Sequence, residues 1–411
     1  LLNLLIAHNS TIVCVYNLRY CLSKYNEITS FKLELSQLFK MQSKSIVLGV
    51  SIVTAGICGW FAYKYIRKRI RNTPPKKSVP IKIQSKMTHR ELISKYCSRW
   101  RKVGELTDMM CYPIKSCGFI RREEFDCTTI GFQFENIRDR IFMIVNADGE
   151  FVTARTYPKL WQVTPDIDGD IMILSAPGMI NLTVDVARLL KIKPIKAQVW
   201  GETVSAVDAG EESARWFSRF IFQEDFGLRL VFYPLSIPSR KVRAKNKIFD
   251  TAIKSDTGAY HDATSFMLIN ESSIADLNSR LKSPVSKLQF RPNFVMKGAP
   301  AFEEDKWRWI RIGDVIFQNV KPCTRHENEF MFSKRKFRKD FLTYLRCLFI
   351  NIDPETAERN PDQEPLKTLQ SYRTFPKTGS SPVMGIHLGL RGEGKVNIGD
   401  SIYVEELKFD T

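Results

Sequence analysis

The stretch WRWIRIGDVIFQNVKPCTR, residues 307–325, indicates the fold of this chain. Residues 307–312 and 315–320 are rich in β-branched and aromatic side chains, and Gly313-Asp314 separates them, which is the pattern of a β-hairpin with a tight turn. The second strand continues into residues 321–325, which end in Cys-Thr-Arg. The stretch therefore predicts an antiparallel sheet with a polar, thiol-bearing segment at the end of one strand.

The sequence departs from this pattern directly after Arg325. Residues 326–346 carry six lysines and arginines against three acids, and their apolar side chains follow neither a helical nor a strand period. An apolar run begins only at Cys347. Joined together, the two flanks would read Cys-Thr-Arg-Cys followed by an apolar strand. We therefore interpret residues 326–346 as an insertion of 21 residues, either translated intron sequence or a surface loop.

Two further stretches carry strand patterns. Residues 140–145 and 150–155 flank Asn-Ala-Asp-Gly, a turn in which glycine permits a positive φ, and they predict a second hairpin. Ile398-Gly399-Asp400 repeats the Ile-Gly-Asp turn of residues 312–314 and precedes a strand pattern at residues 402–404. Both stretches extend the prediction of antiparallel sheets.

Two amphipathic patterns predict helices. Residues 211–222 place Phe217 and other apolar side chains on one face. Residues 271–281 follow Asn270, whose side chain suits a helix N-cap. Because strand patterns outnumber helical ones, we expect an α+β fold in which β-structure predominates, with barrel-like sheets decorated by helices.

The composition sets limits on function. The 411 residues are 44% hydrophobic, which suffices for two to three domains with cores of their own. The formal net charge of +18 would suit a polyanionic partner, but a net ten of these charges lie in residues 64–77 and 326–346. No RRM, KH, zinc-finger or helix-turn-helix signature accompanies the charge. We expect no nucleic-acid partner.

The cysteines do not suggest a disulfide framework. The nine cysteines lack the close, regular spacing of secreted scaffolds, and none forms a CxxC pair. They are interpreted as reduced thiols in a cytosol-facing protein. With five histidines in the chain, we expect no structural zinc site.

Residues 45–63, SIVLGVSIVTAGICGWFAY, carry no charge and approach the roughly 20 residues that a membrane-spanning helix needs. Trp60 and Tyr63 lie at one end, and the cationic residues 64–77 follow, which is the interfacial and positive-inside arrangement. We expect a signal anchor over residues 41–71 that leaves the bulk of the chain in the cytosol. The short anchor and its basic flank favour the outer mitochondrial membrane, with the endoplasmic reticulum membrane as the alternative.

The segments beside the anchor are interpreted from their composition. The chain begins with Leu1 and its first methionine is Met41, so residues 1–40 are interpreted as translated upstream sequence. The alternative, a cleavable targeting signal, lacks an amphipathic Arg-rich helix and a clear cleavage site. Residues 72–98 begin with a stretch rich in Pro, Lys and Ser and predict a linker.

A series of short motifs runs from about residue 100 to the C-terminus. They are Val103-Gly104-Glu105, Tyr112-Pro113-Ile114-Lys115-Ser116-Cys117, Asn136-Ile137-Arg138-Asp139-Arg140, Thr153-Ala154-Arg155, Ala176-Pro177-Gly178, Tyr260-His261-Asp262, Phe290-Arg291-Pro292-Asn293 and Lys321-Pro322-Cys323-Thr324-Arg325. In this order they resemble a MOSC N-terminal barrel domain followed by a MOSC domain. With the anchor, the chain resembles the mitochondrial amidoxime reducing components. The resemblance implies a MOSC N-terminal β-barrel-like domain at residues 99–225 and a MOSC β-barrel domain at residues 226–411.

The resemblance implies a Mo-molybdopterin cofactor, in which a dithiolene holds molybdenum and a phosphate terminates the pterin. By resemblance, Cys347 is the catalytic residue and the metal ligand, because a thiolate suits a soft metal and a neighbouring arginine favours the thiolate. Without the resemblance, Cys347 would be interpreted as a small buried hydrophobe. Cys323 is not a ligand in this interpretation and packs or hydrogen-bonds near the pterin.

The resemblance also implies a shell of donors around the cofactor, since phosphate and pterin need guanidinium, ammonium, hydroxyl and backbone donors. The matching residues are Lys115, Ser116, Arg140, Arg155, Thr264, Arg291, Asn293, Thr324 and Arg325. For each lysine or arginine alone, the ordinary interpretation is a solvated surface charge. Arg155 is either part of this shell or structural.

The reaction implied by the resemblance is the two-electron reduction of N-hydroxylated small molecules: amidoximes, hydroxylamines and N-oxides. Electrons would come from NADH through NADH-cytochrome b5 reductase and cytochrome b5. The chain has no GxGxxG loop between a strand and a helix, which is consistent with an external reductase. The basic residues after the anchor could dock an acidic haem protein, but a role in membrane topology is the simpler interpretation.

Two alternatives remain open at the level of sequence. One is a MOSC protein that handles sulfur or cofactor, like the C-terminal part of molybdenum cofactor sulfurases; those carry a pyridoxal phosphate domain upstream, for which residues 1–100 leave no room. The other is a membrane-tethered cofactor carrier that is catalytically impaired. It is favoured if residues 326–346 are present in the protein and separate Thr324 and Arg325 from Cys347.

Overall fold

The structure is a computed structural model that describes residues 99–246, 249, 251–325 and 348–405. All of them belong to one compact unit, Met87–Thr411. The predicted upstream sequence, anchor, linker and insertion and the predicted ligand Cys347 lie outside the described residues. Among the helices that are described, none is long and apolar enough to cross a membrane.

The described residues form nineteen strands. They are β1 (Trp100–Cys111), β2 (Ile120–Arg121), β3 (Glu124–Thr128), β4 (Gly131–Phe134), β5 (Ile137–Arg138), β6 (Phe142–Asn146), β7 (Thr164–Asp168), β8 (Ile171–Ser175), β9 (Leu182–Asp185), β10 (Ile195–Val199), β11 (Glu202–Asp208), β12 (Leu228–Phe232), β13 (Phe266–Asn270), β14 (Phe294–Lys297), β15 (Trp309–Ile312), β16 (Val315–Thr324), β17 (Val383–Gly392), β18 (Gly394–Asn397) and β19 (Ser401–Glu405).

The α-helices of the described part are fewer and short. They are α1 (Val186–Leu189), α2 (Glu211–Phe222), α3 (Glu271–Asn278) and α4 (Leu366–Tyr372). Short 3-10 turns lie between these elements, among them Lys287–Phe290 and Leu348–Asn351. The prediction that β-structure predominates is confirmed.

Seven strands close into a barrel in the order β14-β13-β17-β16-β15-β19-β1, because β1 also pairs with β14. Adjacent strands are antiparallel except β13 and β14, which are parallel. The twelve-residue β1 pairs in turn with β19, β14 and β2. The hairpin predicted from residues 307–320 is β15–β16, with Ile312 opposite Val315. The opening stretch of sequence therefore forms part of the barrel wall.

Aromatic side chains fill the barrel. Phe132, Phe266, Phe294 and Phe317 are fully buried, and their ring centroids lie 4.9–5.6 Å apart in most pairings. Burying one such side chain stabilises the fold by about 1.5–3 kcal/mol. The edge-to-face arrangement of several of these pairs adds to that. The barrel is a packed core that holds its surrounding loops in place.

Three smaller sheets flank the barrel, with the strand orders β10-β11-β12-β6, β18-β3-β4-β5 and β7-β8-β9. Helix α2 packs against β12 through Phe217 and its neighbours, and its predicted bounds are confirmed. Strands on the two sides of residue 225 pair with one another, since β12 pairs with β6 and β1 completes a barrel of later strands. A domain boundary at residue 225 stays a prediction.

The second predicted hairpin forms only in part. Strand β6 is present, but residues 150–155 form isolated bridges, Val145 with Phe151 and Glu150 with Gln198. The segment follows β6 only as far as Val152, because the chain turns at Thr153, whose carbonyl accepts from the N–H groups of Thr156 and Tyr157. The prediction of a strand over residues 150–155 is therefore wrong.

Two other elements end or fold differently from the prediction. Helix α3 begins after the N-cap Asn270 as expected but ends at Asn278, because the Asn278 side chain bonds both backbone groups of Val285 and turns the chain. The apolar run after Cys347 is a 3-10 turn, Leu348–Asn351, and not a strand. In this turn Phe349 packs against two hydrophobic clusters, and Ile350 is buried in one of them.

Candidate functional site

Several loops and strand ends surround one cavity of about 150 Å³. The walls come from the segment after β1, the loops before β13 and β14, the end of β16 and the 3-10 turn Leu348–Asn351. All nine described residues of the predicted cofactor shell line it: Lys115, Ser116, Arg140, Arg155, Thr264, Arg291, Asn293, Thr324 and Arg325. The tertiary structure brings these residues together, while their role toward a cofactor stays a prediction.

The two flanks of the insertion meet at this cavity. Thr324 and Arg325, which precede the insertion, line it, and so do Phe349 and Ile350, which follow Cys347 by two and three positions. Cys347 itself lies outside the described residues. The flanks converge on one site even though 21 residues separate them in sequence.

Three of the lining residues have left-handed backbone. The φ angles are 74° at Ser116, 49° at Arg140 and 52° at Arg291. Each such conformation costs roughly 1–3 kcal/mol in a residue with a side chain and persists where the surroundings hold it. The backbone N–H of Arg140 donates to the carbonyl of Tyr112 at 2.7 Å, and that of Arg291 donates to the carbonyl of Leu288 at 2.9 Å. These bonds hold the two arginines in their unusual conformation.

The lining is strongly cationic. Seven lysines and arginines and one carboxylate face the cavity. The cations are Lys115, Arg140, Arg155, Arg243, Arg291, Lys321 and Arg325, and the carboxylate is that of Asp262. Cations gathered in a concave, partly buried site raise the local concentration of anions. The cavity therefore has the electrostatics of an anion-binding site.

Lys115 is buried at the wall of the cavity. Its Nζ donates to the carbonyl of Tyr260 at 3.0 Å and to the carboxylate of Asp262, and it lies 5.5 Å from the ring centroids of Phe151 and Trp200. Burial lowers the pKa of Lys115 to about 7, and Asp262 offsets only part of that effect. The charge of Lys115 therefore depends on pH in the neutral range.

Asp262 balances part of the positive charge. Besides Lys115, its carboxylate accepts from Nε1 of Trp200 at 3.2 Å and from Nη2 of Arg155 at 3.3 Å, while Arg243 donates to its backbone oxygen. Burial would raise the pKa of Asp262, but Lys115 and Arg155 together hold it well below its usual range. Asp262 stays ionised and orients two of the cations.

Asn293 connects the cavity wall to the barrel. Its Oδ1 accepts from Nη1 of Arg140 and from the backbone N–H of Met267, both at 3.2 Å, and its Nδ2 donates to the carbonyl of Met110 at 3.1 Å. Both polar atoms of the amide are thus engaged by the protein. Asn293 acts in this structure by holding Arg140 and joining β1 to the start of β13.

Three of the arginines that line the cavity keep unused donors. Among the described residues, no hydrogen-bond partner is found for the buried Nε and Nη1 of Arg155, Nη2 of Arg291 or Nε of Arg325. Other nitrogens of these side chains are engaged; Nη1 of Arg291, for example, donates to the carbonyl of Cys117 at 2.6 Å. A buried donor without an acceptor is costly, so such donors indicate a site for an acceptor-rich ligand.

The far wall is formed by β16, β17 and the start of β13. Oγ1 of Thr264 donates to the carbonyl of Phe266 and lies 2.9 Å from Nδ1 of His387. Burial holds the pKa of His387 well below its usual value, so the ring is neutral. Cys323 is buried in a hydrophobic cluster and also lines the cavity, while its predicted place near a pterin stays a prediction. This side of the cavity is polar but carries no net negative charge.

The chemistry of the described donors is that of an anion site. Within the described ranges, no group of three or more His, Cys, Asp and Glu side chains could hold a metal ion. A metal at this cavity would depend on Cys347, outside those ranges, and on ligands that the cofactor itself supplies. The described residues can hold the anionic and hydrogen-bonding parts of such a group.

Sequence reasoning missed several lining residues. They are Trp200, Arg243, His261, Asp262, Lys321 and His387. His261 and Asp262 lie inside the Tyr260-His261-Asp262 motif and Lys321 begins another, so the motifs carried a usable signal. No sequence signal marks Trp200, Arg243 or His387, because each reaches the cavity from a segment far from any motif.

Two family models match the chain. The MOSC N-terminal beta barrel domain matches residues 103–224, and the MOSC domain matches residues 256–327. The second match ends at the start of the interpreted insertion. These matches identify the chain, with its packed barrel and cationic cavity, as a MOSC-domain protein.

Curated relatives narrow this class. The chain is 33% identical over 310 residues to mitochondrial amidoxime reducing component 2 of Bos taurus, covering 74% of this chain and 84% of the relative. It is 32% identical over 309 residues to component 1 of Homo sapiens, with the same coverage, and 33% identical over 316 residues to component 1 of Danio rerio, covering 76% and 89%. The chain belongs to the family of mitochondrial amidoxime reducing components.

Proposed function

We propose that this chain is a molybdenum-cofactor-dependent reductase of N-hydroxylated compounds, namely amidoximes, hydroxylamines and N-oxides. The observation that carries the proposal is the cavity, where seven cationic side chains face one carboxylate. Membership of the family supports the proposal, because the relatives are named as amidoxime reducing components. The positive charge of the cavity favours an anionic ligand.

The residues of the cavity fit a phosphorylated pterin. The unused N–H groups of Arg155, Arg291 and Arg325 are buried donors that need acceptors. Guanidinium groups bind phosphate through paired hydrogen bonds, and they also suit the ring nitrogens and carbonyl of a pterin. Nothing in the described lining besides Asp262 would repel a phosphate.

Each residue has a definite part in this proposal. Lys115, Arg140, Arg291 and Arg325 would hold the anionic and hydrogen-bonding parts of the cofactor. Cys347 would ligate molybdenum as a thiolate, since soft metals prefer sulfur and an arginine neighbouring it in sequence favours the ionised thiol. When bound, the cofactor supplies two-electron reduction at molybdenum, with the oxygen of the substrate leaving as water.

The protein's own groups prepare the site. Asp262 keeps Lys115 and Arg155 oriented, and Asn293 holds Arg140, so the donors are in place before a ligand binds. Donors that are already oriented cost little reorganisation during a reaction. Trp200 and Phe349 provide aromatic walls beside Arg155, with ring centroids 5.5 and 5.8 Å from its guanidinium carbon.

The electron source and the location are part of the proposal. We expect NADH, NADH-cytochrome b5 reductase and cytochrome b5 to supply electrons, with residues 45–63 anchoring the chain in the outer mitochondrial membrane. The names of the relatives, which say mitochondrial, support the organelle. The basic residues 64–77 favour a cytosolic catalytic part.

A second candidate is a MOSC protein that binds or carries the cofactor without efficient catalysis. One observation favours it: the MOSC match ends at residue 327, so the sequence before Cys347 departs from the family. Small shifts near a metal ligand lower cofactor affinity and activity. Both candidates predict that the chain binds the cofactor, but only the first predicts efficient catalysis.

The test compares the full chain with two variants, one lacking residues 326–346 and one with Cys347→Ala. Molybdenum and pterin per chain would be measured by mass spectrometry and fluorescence, and benzamidoxime reduction would be measured with NADH, cytochrome b5 and its reductase. We expect the deletion variant to hold the cofactor and reduce benzamidoxime. Cys347→Ala should lose molybdenum and activity. Full molybdenum content in Cys347→Ala would remove Cys347 as the ligand, and a cofactor-loaded but inactive deletion variant would favour the carrier.

A further inference from the structure

Asp139 is a fully buried carboxylate directly behind the cavity. Its Oδ1 accepts from the backbone N–H of Tyr112 at 2.6 Å, and its Oδ2 accepts from Nε2 of His261 at 2.9 Å and from Nη1 of Arg140. Burial would raise the pKa of Asp139, but Arg140 and His261 hold it below its usual value. Asp139 is therefore a buried anion with both oxygens engaged.

The hydrogen bonds of His261 determine which nitrogen of its ring carries the proton. Its Nδ1 accepts from the backbone N–H of Ala259 at 3.1 Å, so Nδ1 carries no proton and Nε2 carries the proton that is donated to Asp139. Burial lowers the pKa of His261 to about 4, in agreement with a neutral ring. His261 acts as a fixed neutral donor and adds no charge to the site.

The chain leaves room for this pair with two glycines. A Cβ at Gly258 would lie 2.3 Å from Nδ1 of His261, and a Cβ at Gly131 would lie 2.8 Å from Cβ of Asp139. Both glycines have positive φ, at 60° and 108°. At these two positions, only glycine adopts the positive φ readily and also fits the space beside the neighbouring side chain. The backbone is thus shaped around the side chains of Asp139 and His261.

Arg140 connects the pair to the cavity. Its guanidinium donates to Asp139, to Oδ1 of Asn293 at 3.2 Å and to the carbonyl of Arg291 at 3.4 Å, and it lies 4.6 Å from the ring centroid of Tyr112. Arg140 also lines the cavity. One edge of the guanidinium is held by buried acceptors, which determines the direction in which its remaining N–H groups point.

We propose that Asp139 and His261 are positioning residues that orient Arg140 for an oxyanion in the cavity. A carboxylate bonded only to Arg140 could rotate with it, but the N–H groups of Tyr112 and His261 fix both oxygens of Asp139. The orientation of Arg140 is then set before a ligand arrives, which lowers the entropic cost of binding. The inference rests on the proposed function for the identity of the natural anion, but it needs only an oxyanion to be tested.

The experiment is a double-mutant cycle with inorganic pyrophosphate as the probe. The full chain would be produced in a host that cannot make the pterin cofactor, and pyrophosphate affinity would be measured by calorimetry at constant pH. His261→Leu, which removes the donor to Asp139, should weaken binding roughly 10-fold, as loss of a partner that orients a ligand-binding group typically does. In an Arg140→Ala background the same change should have less than about a 2-fold effect, because its target is absent.

Two further variants separate positioning from general stability. His261→Gln can present an N–H near the place of Nε2 and should recover most of the affinity. Asp305→Asn disturbs another largely buried ion pair, that with Arg373, away from the cavity, and should leave pyrophosphate affinity unchanged. If His261→Leu folds poorly, the comparison of His261→Gln and Asp139→Asn in the two backgrounds applies the same test.

The outcomes are distinct. Equal effects of His261→Leu with and without Arg140, or no pyrophosphate binding by the unmodified chain, would overturn the inference. A strong coupling to Arg140 supports it. If the coupling is found while chains from an ordinary host contain no pterin or molybdenum, the proposed function fails and the positioning role stands.

Discussion

The guanidinium of Arg391 donates two hydrogen bonds to the carboxylate of Asp256, at 2.6 and 2.9 Å, and both side chains are almost fully buried. Arg391 belongs to the barrel strand β17, whereas Asp256 lies in the loop that carries His261 and Thr264 to the cavity. The carbonyl of Asp256 also accepts from the N–H of Ser265 at 3.0 Å. This ion pair ties the loop of the site to the barrel.

The first prediction concerns this pair. Asp256→Ala leaves the buried charge of Arg391 without its partner and should lower the free energy of unfolding by about 3–5 kcal/mol. Urea unfolding followed by fluorescence measures the loss. The matched control is Glu124→Ala, which removes the half-exposed partner of Lys395 and should cost less than about 1 kcal/mol. Similar losses in the two variants would contradict a structural role for the buried pair.

The second prediction concerns pH. With a pKa of about 7, Lys115 is charged at pH 6 and largely neutral at pH 8.5, so sulfate should bind more weakly at the higher pH, by up to roughly 30-fold. Sulfate suits the measurement because its own charge is constant over this range. In Lys115→Arg, whose guanidinium stays protonated, most of this pH dependence should disappear. A dependence that persists in Lys115→Arg would assign it to another group.

The same pKa has a consequence for stability. The folded pKa of Lys115 lies below the unfolded value of 10.5, so between pH 7 and 10.5 the unfolded chain binds more protons. The contribution of Lys115 to the free energy of unfolding should therefore rise with pH in this window and stay constant below pH 7. Lys115→Met should remove this slope, as measured by urea unfolding at pH 7 and pH 9. An unchanged slope in Lys115→Met would contradict the lowered pKa.

The third prediction concerns Gly258. Alanine there would place a methyl group 2.3 Å from Nδ1 of His261 at a φ of 60°, so the ring or the backbone must move. We expect Gly258→Ala to cost about 3 kcal/mol, from overpacking together with backbone strain. Gly178→Ala is the matched control, because its φ is 74° and a Cβ would meet no atom within 4 Å. It should cost only about 1 kcal/mol. Equal melting temperatures of the two variants would refute the steric argument.

The fourth prediction concerns residues 326–346. Both flanks line the cavity, so a chain lacking these residues should still fold, with a free energy of unfolding unchanged or higher by up to about 2–3 kcal/mol from the shorter loop. Urea unfolding measures this, and sequencing of the transcript shows whether the segment is encoded in the mature message. Loss of folding in the deletion variant would mean that the segment is a structural part of the domain. Sequencing reads that run from the Arg325 codon into the His326 codon in most messages would contradict the intron interpretation.

Much of the local structure was predictable. The hairpin of β15 and β16, the helix α2 and the N-cap of α3 follow from turn residues and side-chain periods that depend on neighbours in the chain. The strand after Cys347 and the strand over residues 150–155 were predicted wrongly, because an apolar run does not specify its partner. At residues 150–155 the chain turns away from β6 at Thr153, whose carbonyl accepts from the N–H groups of Thr156 and Tyr157.

The candidate site was predictable through family motifs and not through residue chemistry alone. The nine predicted residues, eight of them within the quoted motifs, line one cavity, whereas Trp200, Arg243 and His387 come from segments without a motif. The donors left unused on Arg155, Arg291 and Arg325 could not be foreseen. Whether an arginine nitrogen finds an acceptor depends on the final position of backbone carbonyls from other segments.

By itself, the sequence determined the β-predominant class, the strong positive charge and the local turns and caps, because these depend on composition and on contacts a few residues apart. Only the tertiary structure decided how the barrel closes through β1 and β14, where the flanks of the insertion meet, and which tautomer His261 adopts. Asp139 and His261 are 122 positions apart, and nothing local to either one specifies their bond. Such long-range pairs form when the packed core leaves buried polar groups no other partner.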